Sequence, residues 1–280
     1  MTISKKAIPY VLLTPALVIY IVFSAIPLAG VFHLSLYKTN FVRESFVGLA
    51  NYVRLFNDPD FWLTFGNSLL YIIDLPFTIF LGVSFAIMLY RVSEGWQTYA
   101  RVMVYLPGFI GAIVLSATWK WVWGSGDTGL INQILGVEIP WFTSRWTSIP
   151  PILLSSVAGG WGSSLIYYCA GLQSISPDVI EAAKVDGASW KQIKYRILLP
   201  SLYKLIMLMT LLGTAGSFQE FYWAEMLAPY PYAGTLMWQM YTTAFRHSKY
   251  GYGSAYSVVL MFIILIIVLV QRWIMSRGKK

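Results

Sequence analysis

Six apolar stretches divide the chain, and segments rich in polar residues, Gly and Pro separate them. Each stretch reaches the roughly 20 residues that a helix needs to cross a bilayer. Because lipid offers no hydrogen-bond partners to backbone N–H and C=O groups, such segments are expected to be helical. The predicted spans are Ile8–Leu36, Phe61–Tyr90, Val102–Trp123, Ile149–Leu172, Leu199–Trp223 and Gly253–Ile274. The pattern predicts an all-α bundle of six transmembrane helices, with residues 1–280 as a single membrane domain.

The composition agrees with a membrane bundle and argues against nucleic-acid binding. Of the 280 residues, 57% are hydrophobic and 11% are charged, whereas soluble domains carry about 25% charged residues. The 12 Trp and 19 Tyr suit aromatic belts at the two membrane interfaces. The net charge of +8 is scattered over the segment ends, and a nucleic-acid partner would require a basic stripe. We therefore expect contact with membrane lipid and no nucleic acid.

The distribution of Lys and Arg predicts the orientation of the spans. The first apolar run is too long for the core of a cleaved signal peptide, so it is read as a retained span. With the N-terminus inside, thirteen Lys and Arg residues fall on the inner side and seven on the outer side. This bias is the one that the positive-inside rule expects. Both termini are therefore predicted to be cytoplasmic.

Residues 173–200, between the fourth and fifth spans, predict a compact helix–turn–helix on the cytoplasmic side. Pro177 and Asp178 favour the first turn of a helix, and Gly187 supplies a turn that ends it. Trp190 and Ile193 then follow at helical spacing, beside several basic residues. From these features alone, an amphipathic loop lying on acidic lipid headgroups is an equally good interpretation.

A specific motif within this segment favours a docking role. The run Glu181-Ala182-Ala183, three residues, Gly187, nine residues and Ile197-Leu198-Leu199-Pro200 resembles the EAA loop of binding-protein-dependent ABC importer permeases. In that family the short helix docks on a cytoplasmic ATPase and transmits its closure to the spans. The resemblance implies that the ATPase-coupling residues are Glu181, Ala182, Ala183, Asp186, Gly187, Ile197, Leu199 and Pro200.

The resemblance extends over nearly the whole chain and narrows the family. Phe46–Tyr52, Leu106-Pro107, Trp119–Trp121, Gly129–Asn132 and Tyr241–Phe245 are similar to the larger permease subunit of maltose-type sugar importers, although the extra domains of that subunit are missing. The resemblance implies a permease in a bacterial cytoplasmic (inner) membrane that moves a sugar or oligosaccharide inward by alternating access. The implied partners are a second permease subunit in a heterodimer, two cytoplasmic ATPase subunits and an extracytoplasmic solute-binding protein.

The chain lacks the chemistry of an ATPase. No G-x-x-x-x-G-K-[ST] loop occurs, so no glycine-rich segment is expected to cradle phosphates. ATP and Mg are therefore expected on the partner subunits, and we predict no cofactor in this chain and no enzymatic activity. His33 and His247 lie far apart without ligand-like neighbours, and Cys169 is the single cysteine. We predict no metal site from these residues.

Ionisable residues inside spans mark functional pathways, because they are costly in lipid. Asp74, Glu220 and Glu225 are the candidates. Asp74 precedes Leu75-Pro76, where a kink is expected to free backbone carbonyls, and its alternative role is a packed carboxyl that joins two spans. Glu225 is expected at the outer interface in water. Ser217, Glu220 and Trp223 have a spacing that predicts one helical face, which offers a sugar both hydrogen bonds and an aromatic ring.

The resemblance also implies positions for a substrate pathway. The maltose-contacting positions of the resembling subunit fall on Gly108, Ala112, Ser156, Gly159, Gly160, Gly213, Ser217 and Glu220. Most of these residues are small, which implies a different or bulkier solute, contacted also by Trp161 or Tyr222. The alternative is that Gly159, Gly160, Gly213 and Gly216 merely allow close helix packing.

Two other functional classes are alternatives for a chain with six spans. An ion-coupled secondary transporter would use paired intramembrane carboxylates and usually an internal repeat, and neither is evident in the sequence. A membrane-embedded lipid-modifying enzyme would need clustered Asp, Glu or His, and the acidic residues here are dispersed.

Overall fold

The first predicted span is one long helical segment in a computed structural model that describes residues 8–227 and 232–277. Helix α1 (Ile8–Tyr20) continues through a π-helical turn (Ile21–Ala25) into α2 (Ile26–Ser35). Its apolar side chains are open, with Tyr10 74% and Phe23 76% exposed in the single chain. Such exposure suits a span that faces lipid or another subunit.

A β-hairpin follows the first span, which the sequence pattern did not predict. Strands β1 (Tyr37–Thr39) and β2 (Glu44–Phe46) pair antiparallel, with Tyr37 opposite Phe46. Three-residue strands are too short to give a clear alternation of polar and apolar positions. The side chain of Asn51, in helix α3 (Ala50–Phe56), ties the hairpin to the first span by donating to the carbonyls of Ser35 and Tyr37.

The second predicted span is a helix with a break in its middle. It consists of α4 (Pro59–Tyr71) and α5 (Asp74–Leu89). Pro76 has no N–H to donate to the carbonyl of Ile72. That carbonyl accepts instead from the N–H of Leu75, at 3.1 Å. The helix is interrupted before Asp74, which lies in the first turn of α5, but the carbonyl of Ile72 is bonded and not free as expected.

The third and fifth spans are bent. Helices α6 (Glu94–Phe109) and α7 (Ala112–Val122) form the third span and meet at a sharp bend after Pro107. Helix α6 starts eight residues before the expected Val102. The fifth span also begins early, and it bends by 52° beside Pro200. Proline inside or next to a helix is the usual cause of such kinks.

The remaining helices complete the described chain. Helix α9 forms the fourth span and starts at a capping box between Ser144 and Thr147. The others are short apart from α13 and α16, and a π-helical turn (Lys194–Leu198) joins α11 to α12. Their bounds are α8 (Leu130–Leu135), α9 (Arg145–Gln173), α10 (Pro177–Val185), α11 (Trp190–Ile193), α12 (Leu199–Ser201), α13 (Tyr203–Phe218), α14 (Tyr222–Leu227), α15 (Leu236–Tyr241) and α16 (Tyr250–Arg277).

The described helices bear out an integral membrane bundle. Four are long and apolar enough to cross a bilayer by themselves, and counting each of the two bent pairs as one span gives the six that the sequence predicts. One predicted boundary is wrong: the helix of the fifth span ends at Phe218 and not at Trp223.

The chain divides into two compact units, Met1–Trp62 with Gln239–Ile263, and Leu63–Trp238 with Ile264–Lys280. In the first unit, Tyr252 donates to Asp58 at 2.8 Å while Arg54 lies over its ring. In the second, α5 and α6 both pack on α9. The single membrane domain inferred from the sequence stays a prediction.

Gly162 sets how closely α6 approaches α9. A Cβ atom built at Gly162 would overlap the carbonyl oxygen of Val104, whereas one at Gly160 would meet nothing within 4 Å. Both glycines lie in α9, so they form a matched pair. The contact at Gly162 is with backbone, which cannot rotate away.

We expect Gly162→Ala to destabilise the protein by about 1–3 kcal/mol, the usual cost of overpacking. Gly160→Ala should keep or raise the melting temperature of the purified protein, because the added methyl group enters open space and alanine is the better helix former. Equal melting temperatures for the two variants would contradict the close approach of α6 and α9.

Candidate functional site

Helix α10 has the start and the stop that its sequence predicts. Pro177 occupies the first turn, and the Ser176 hydroxyl accepts from the N–H of Asp178 at 3.3 Å. At the other end Gly187 has φ +76°, a conformation that glycine adopts without strain. The N–H groups of Gly187 and Ala188 donate to the carbonyls of Lys184 and Ala183. These two bonds form a Schellman motif, so the turn that ends α10 is confirmed.

The second half of the helix–turn–helix is equally well defined. Ser189 and Gln192 form a capping box at the start of α11, which satisfies two backbone donors reciprocally. The guanidinium group of Arg91, just after α5, lies 4.9 Å from the ring centre of Trp190. This cation–π contact attaches the loop to the end of the second span.

One face of the loop is buried against the spans. Ile180, Ile193 and Leu198 are at most 5% exposed. They belong to a single apolar cluster with residues at the ends of α5 and α9, including Leu89 and Leu172. The loop is therefore part of the packed core. A displacement of α10 is expected to move the ends of α5 and α9 with it.

The opposite face of α10 is open. Val185 is 87% exposed and Val179 48%. The coupling residues named from the resemblance divide between the two faces: Glu181, Ala182, Asp186, Gly187 and Pro200 are exposed, and Ala183, Ile197 and Leu199 are partly buried against the cluster.

The charges on α10 disfavour contact of this helix with lipid headgroups, while the exposed Lys191 and Arg196 follow in the second half of the loop. Asp178, Glu181 and Asp186 are exposed on this helix and its end, against one basic residue, Lys184. Anionic lipid headgroups attract basic segments and repel acidic ones. An acidic helix with exposed apolar side chains is better suited to a protein surface.

A cavity of about 250 Å³ lies within the second unit. It brings together five of the predicted pathway residues: Ser156, Gly160, Gly213, Ser217 and Glu220. Tyr71, Asp74, Thr78 and Ser164 also line it. Of these, only Asp74 carries a sequence signal, because the others are ordinary residues of apolar spans. We call this the central cavity.

Asp74 both packs and faces the central cavity. Its Oδ2 accepts from the Ser156 hydroxyl at 3.0 Å, which links α5 to α9. Its Oδ1 is buried and has no hydrogen-bond partner among the described residues. Asp74 therefore joins two spans, which was the alternative role expected for it. Its second carboxylate oxygen can accept a hydrogen bond from another donor.

Glu220 lies in the cavity wall, but the expected helical face does not form. Helix α13 ends at Phe218, so Ser217 and Trp223 belong to different helices. Glu220 Oε1 accepts from the N–H of Trp223 at 3.1 Å, at the start of α14. Trp223 is buried in a cluster with Tyr71 and is absent from the cavity lining. Hydropathy continues through this break, which explains why the pattern suggested an unbroken helix.

The four glycines proposed for either packing or passage divide evenly. A Cβ atom at Gly159 would meet Leu115 at 2.9 Å, and one at Gly213 would overlap the side chain of Leu75. Gly160 and Gly216 have nothing within 4 Å and border the central cavity. Gly159 and Gly213 thus allow close packing, whereas Gly160 and Gly216 leave open space beside the cavity.

The other predicted pathway residues lie elsewhere. Trp161 packs edge-on against Phe85, with ring centres 4.9 Å apart. Tyr222 is 53% exposed and contacts Phe221, and Gly108 is exposed beside Tyr105. None of these three lines the central cavity. Ala112 begins α7, and its side chain lies outside the described residues.

One wall of the central cavity is held by the segment before α15. The side chain of Asn67 donates to the carbonyls of Tyr232 and Gly234, and Tyr71 donates to that of Ala233. The hydroxyl of Thr235 donates to the backbone carbonyl of Glu220. Residues 232–235 are thereby bonded to two residues, Tyr71 and Glu220, that line the cavity.

Glu225 is not the solvated residue expected from the sequence. It is half-buried in α14, and its Oε2 accepts from Trp238 Nε1 at 2.6 Å. Within residues 8–227 and 232–277, no group of three or more His, Cys, Asp and Glu could hold a metal ion.

The chain has clear relatives. A model of the family described as "Binding-protein-dependent transport system inner membrane component" matches residues 76–280. The arabinooligosaccharides transport system permease protein AraP of Halalkalibacterium halodurans is 29% identical over 290 residues, covering 99% of this chain and 90% of that protein. The probable ABC transporter permease protein YurN of Bacillus subtilis is 30% identical over 289 residues, with coverages of 99% and 98%.

The fold also has a close match among solved structures. A chain from the crystal structure of a bacterial ABC transporter involved in the import of the acidic polysaccharide alginate superposes with a TM-score of 0.84. The match covers 98% of this chain and 96% of that chain, at 23% sequence identity. This similarity shows that the folds are alike.

Proposed function

The chain belongs to the family of binding-protein-dependent transport system inner membrane components, and from that premise we propose that it is a permease subunit of an ATP-driven importer for a sugar or oligosaccharide. The saccharide class rests on AraP, whose name specifies arabinooligosaccharides. Family membership decides against the ion-coupled transporter and the lipid-modifying enzyme. The permease carries no catalytic machinery of its own, and ATP is hydrolysed on separate subunits.

The observation that carries the proposal is the two-sided loop of residues 177–200. Its inner face is buried with α5 and α9, and its outer face is open for a partner. An ATPase that closes on ATP and grips α10 would therefore pull on the ends of two spans. Docking stabilises one state of the transporter only if it binds that state better than the other.

The central cavity is the solute site of this proposal. Asp74, Ser156, Ser217 and Glu220 supply polar groups within it, and buried polar groups in a span must find partners among protein, water or solute. Broken helices at Asp74 and after Phe218 surround it, as is common where transporters bind their substrates near the midplane. Alternating access would open this cavity first to the outside and then to the cytoplasm.

The proposed complex contains a second permease subunit, two cytoplasmic ATPase subunits and an extracytoplasmic solute-binding protein. The open apolar surface of α1 and α2 supports a lipid or subunit contact there. We place both termini and the α10 loop in the cytoplasm, because that orientation follows the distribution of Lys and Arg.

Gly187 tests the coupling role. A Cβ atom there meets nothing within 4 Å, so only the positive φ restricts the residue. Gly187→Val should abolish solute-stimulated ATP hydrolysis, because a β-branched residue is strained in this conformation. Gly187→Asn should keep most of the activity, because Asn tolerates it. Stimulated ATPase activity of the assembled complex in proteoliposomes is the measurement, and full activity of the Val variant would contradict a coupling role for the turn.

Glu220 tests the solute site. Glu220→Gln keeps an oxygen that can accept from Trp223 N–H, so the melting temperature should hold while uptake at limiting solute falls several-fold. Glu220→Ala also loses the bond at the start of α14 and should cost about 1 kcal/mol of stability. The matched control is Glu138→Gln, at an exposed position. Uptake by Glu220→Gln equal to that of the control would remove Glu220 from the site.

A further inference from the structure

A second cavity, of about 400 Å³, lies in the same unit as the central cavity. It is formed by the end of α7, the residues just after it, the segment between α8 and α9, and α14. Lys120, Trp123, Trp141, Phe142 and Glu225 line it together with small and aliphatic residues. Its volume is in the range of about 300–1,000 Å³ that is usual for small-molecule sites. None of the pathway residues implied by the family resemblance lines it, and we call it the aromatic cavity.

The two tryptophans present ring surface to this cavity. Their ring centres are 5.2 Å apart and the rings are inclined by 75°. Trp123 Nε1 donates to the Ser155 hydroxyl and Trp141 Nε1 to Asn132 Oδ1, each at 2.9 Å. Because both N–H groups are bonded within the protein, the rings have apolar surface and no donor to offer a ligand.

This arrangement differs from an aromatic belt. A tryptophan at a membrane interface keeps its ring in lipid and its N–H at the wet headgroup level. Trp121 and Trp146, which are 57% and 73% exposed, suit that description. Trp123 is only 7% exposed, and it is fixed at both its ring and its nitrogen.

Charged groups of both signs lie beside the rings. Lys120 is exposed, whereas Glu225 is half-buried and is oriented by Trp238, whose Nε1 donates to Oε2. A carboxylate accepts hydrogen bonds from hydroxyl groups, and an ammonium donates to them. Aromatic rings pack against the C–H surface of a sugar ring. A saccharide uses all three kinds of group at once.

The backbone of Phe142 is strained, which indicates that the surrounding structure fixes the shape of the cavity. Its φ is +66°, which is uncommon for a bulky residue. Such strain persists only where the surrounding structure imposes it. Phe142 is held by packing on the apolar cluster that contains Tyr71, Trp223 and Leu227.

Both cavities border this cluster. Tyr71 lines the central cavity and Leu227 the aromatic one. Along the chain, Glu220 lies just before α14 and Glu225 lies within it, so this short helix carries one carboxylate to each cavity. The two cavities thus each have a carboxylate in the lining and border the same apolar cluster.

We propose that the aromatic cavity is a second saccharide subsite, which binds one sugar ring of the transported oligosaccharide between Trp141, Lys120 and Glu225. The assignment rests on the proposed function for the class of ligand. It adds a position outside the central cavity at which longer solutes gain affinity.

The test is saturation-transfer NMR of arabinotriose and, separately, maltotriose with the complete transporter in nanodiscs. Trp141→Ala should raise the dissociation constant roughly three- to tenfold, the effect expected for one aromatic contact. Lys120→Ala should raise it as well without a change in melting temperature, because Lys120 is exposed. Trp141→Phe keeps a ring and should bind nearly as well as the wild type. If Trp141 acted only through its bond to Asn132, the Phe variant would be as impaired as the Ala variant, which would overturn the proposal.

The control is Trp121→Ala, an exposed tryptophan in the same helix as Lys120, and it should bind like the wild type. If the wild type binds the trisaccharides and Trp141→Ala binds as well as Trp121→Ala does, the subsite is wrong and the proposed function stands. If the wild type binds neither sugar, the saccharide class of the proposed function falls, and this subsite falls with it. Loss of a co-purified phospholipid from Trp141→Ala, with unchanged sugar binding, would assign the cavity to lipid and overturn the proposal.

Discussion

In the proposed mechanism, coupling depends on the burial of Ile180, Ile193 and Leu198 among the ends of α5 and α9. Burying such a side chain contributes about 1.5–3 kcal/mol, so three of them hold the loop firmly to the spans. Without that packing, α10 could move without displacing the spans. With it, the Schellman turn at Gly187 and the capping box at Ser189 orient a rigid surface.

Breaks in the helices supply the polar chemistry inside the bundle. Pro76 interrupts the second span and leaves Asp74 at the start of α5, and the end of α13 at Phe218 leaves Glu220 beside the central cavity. Irregular backbone at such a depth is tolerated only where protein or a water-filled cavity satisfies it. Asn67, Tyr71 and Thr235 provide that satisfaction on one side, and they connect the cavity to residues 232–235. The same physics that forces spans to be helical thus confines the polar site to the places where helices stop.

Much of this organisation could be predicted from the sequence, because it depends on local patterns. Apolar length predicted the six spans, Pro76 predicted the interruption of the helix beside Asp74, and Pro177 and Gly187 predicted both ends of α10. The hairpin at residues 37–46 was missed because its strands are too short to show alternation. The resemblance implied Trp161 or Tyr222 as a solute contact; Trp161 packs on Phe85, a contact between two spans that the sequence does not show. The aromatic cavity brings together Lys120, Trp141 and Glu225 from three separate segments, and only tertiary structure shows that meeting.

Photo-crosslinking from the exposed face of α10 tests the account most directly. A photoreactive phenylalanine derivative replaces Val185, which is 87% exposed, and as a matched control Val42, which is 85% exposed at the tip of the hairpin. In intact cells that express the whole transporter, the derivative at position 185 should crosslink to the ATPase subunit and the one at position 42 should not. A crosslink to the ATPase from position 42, or products only with lipid from position 185, would contradict both the coupling role of α10 and the proposed orientation.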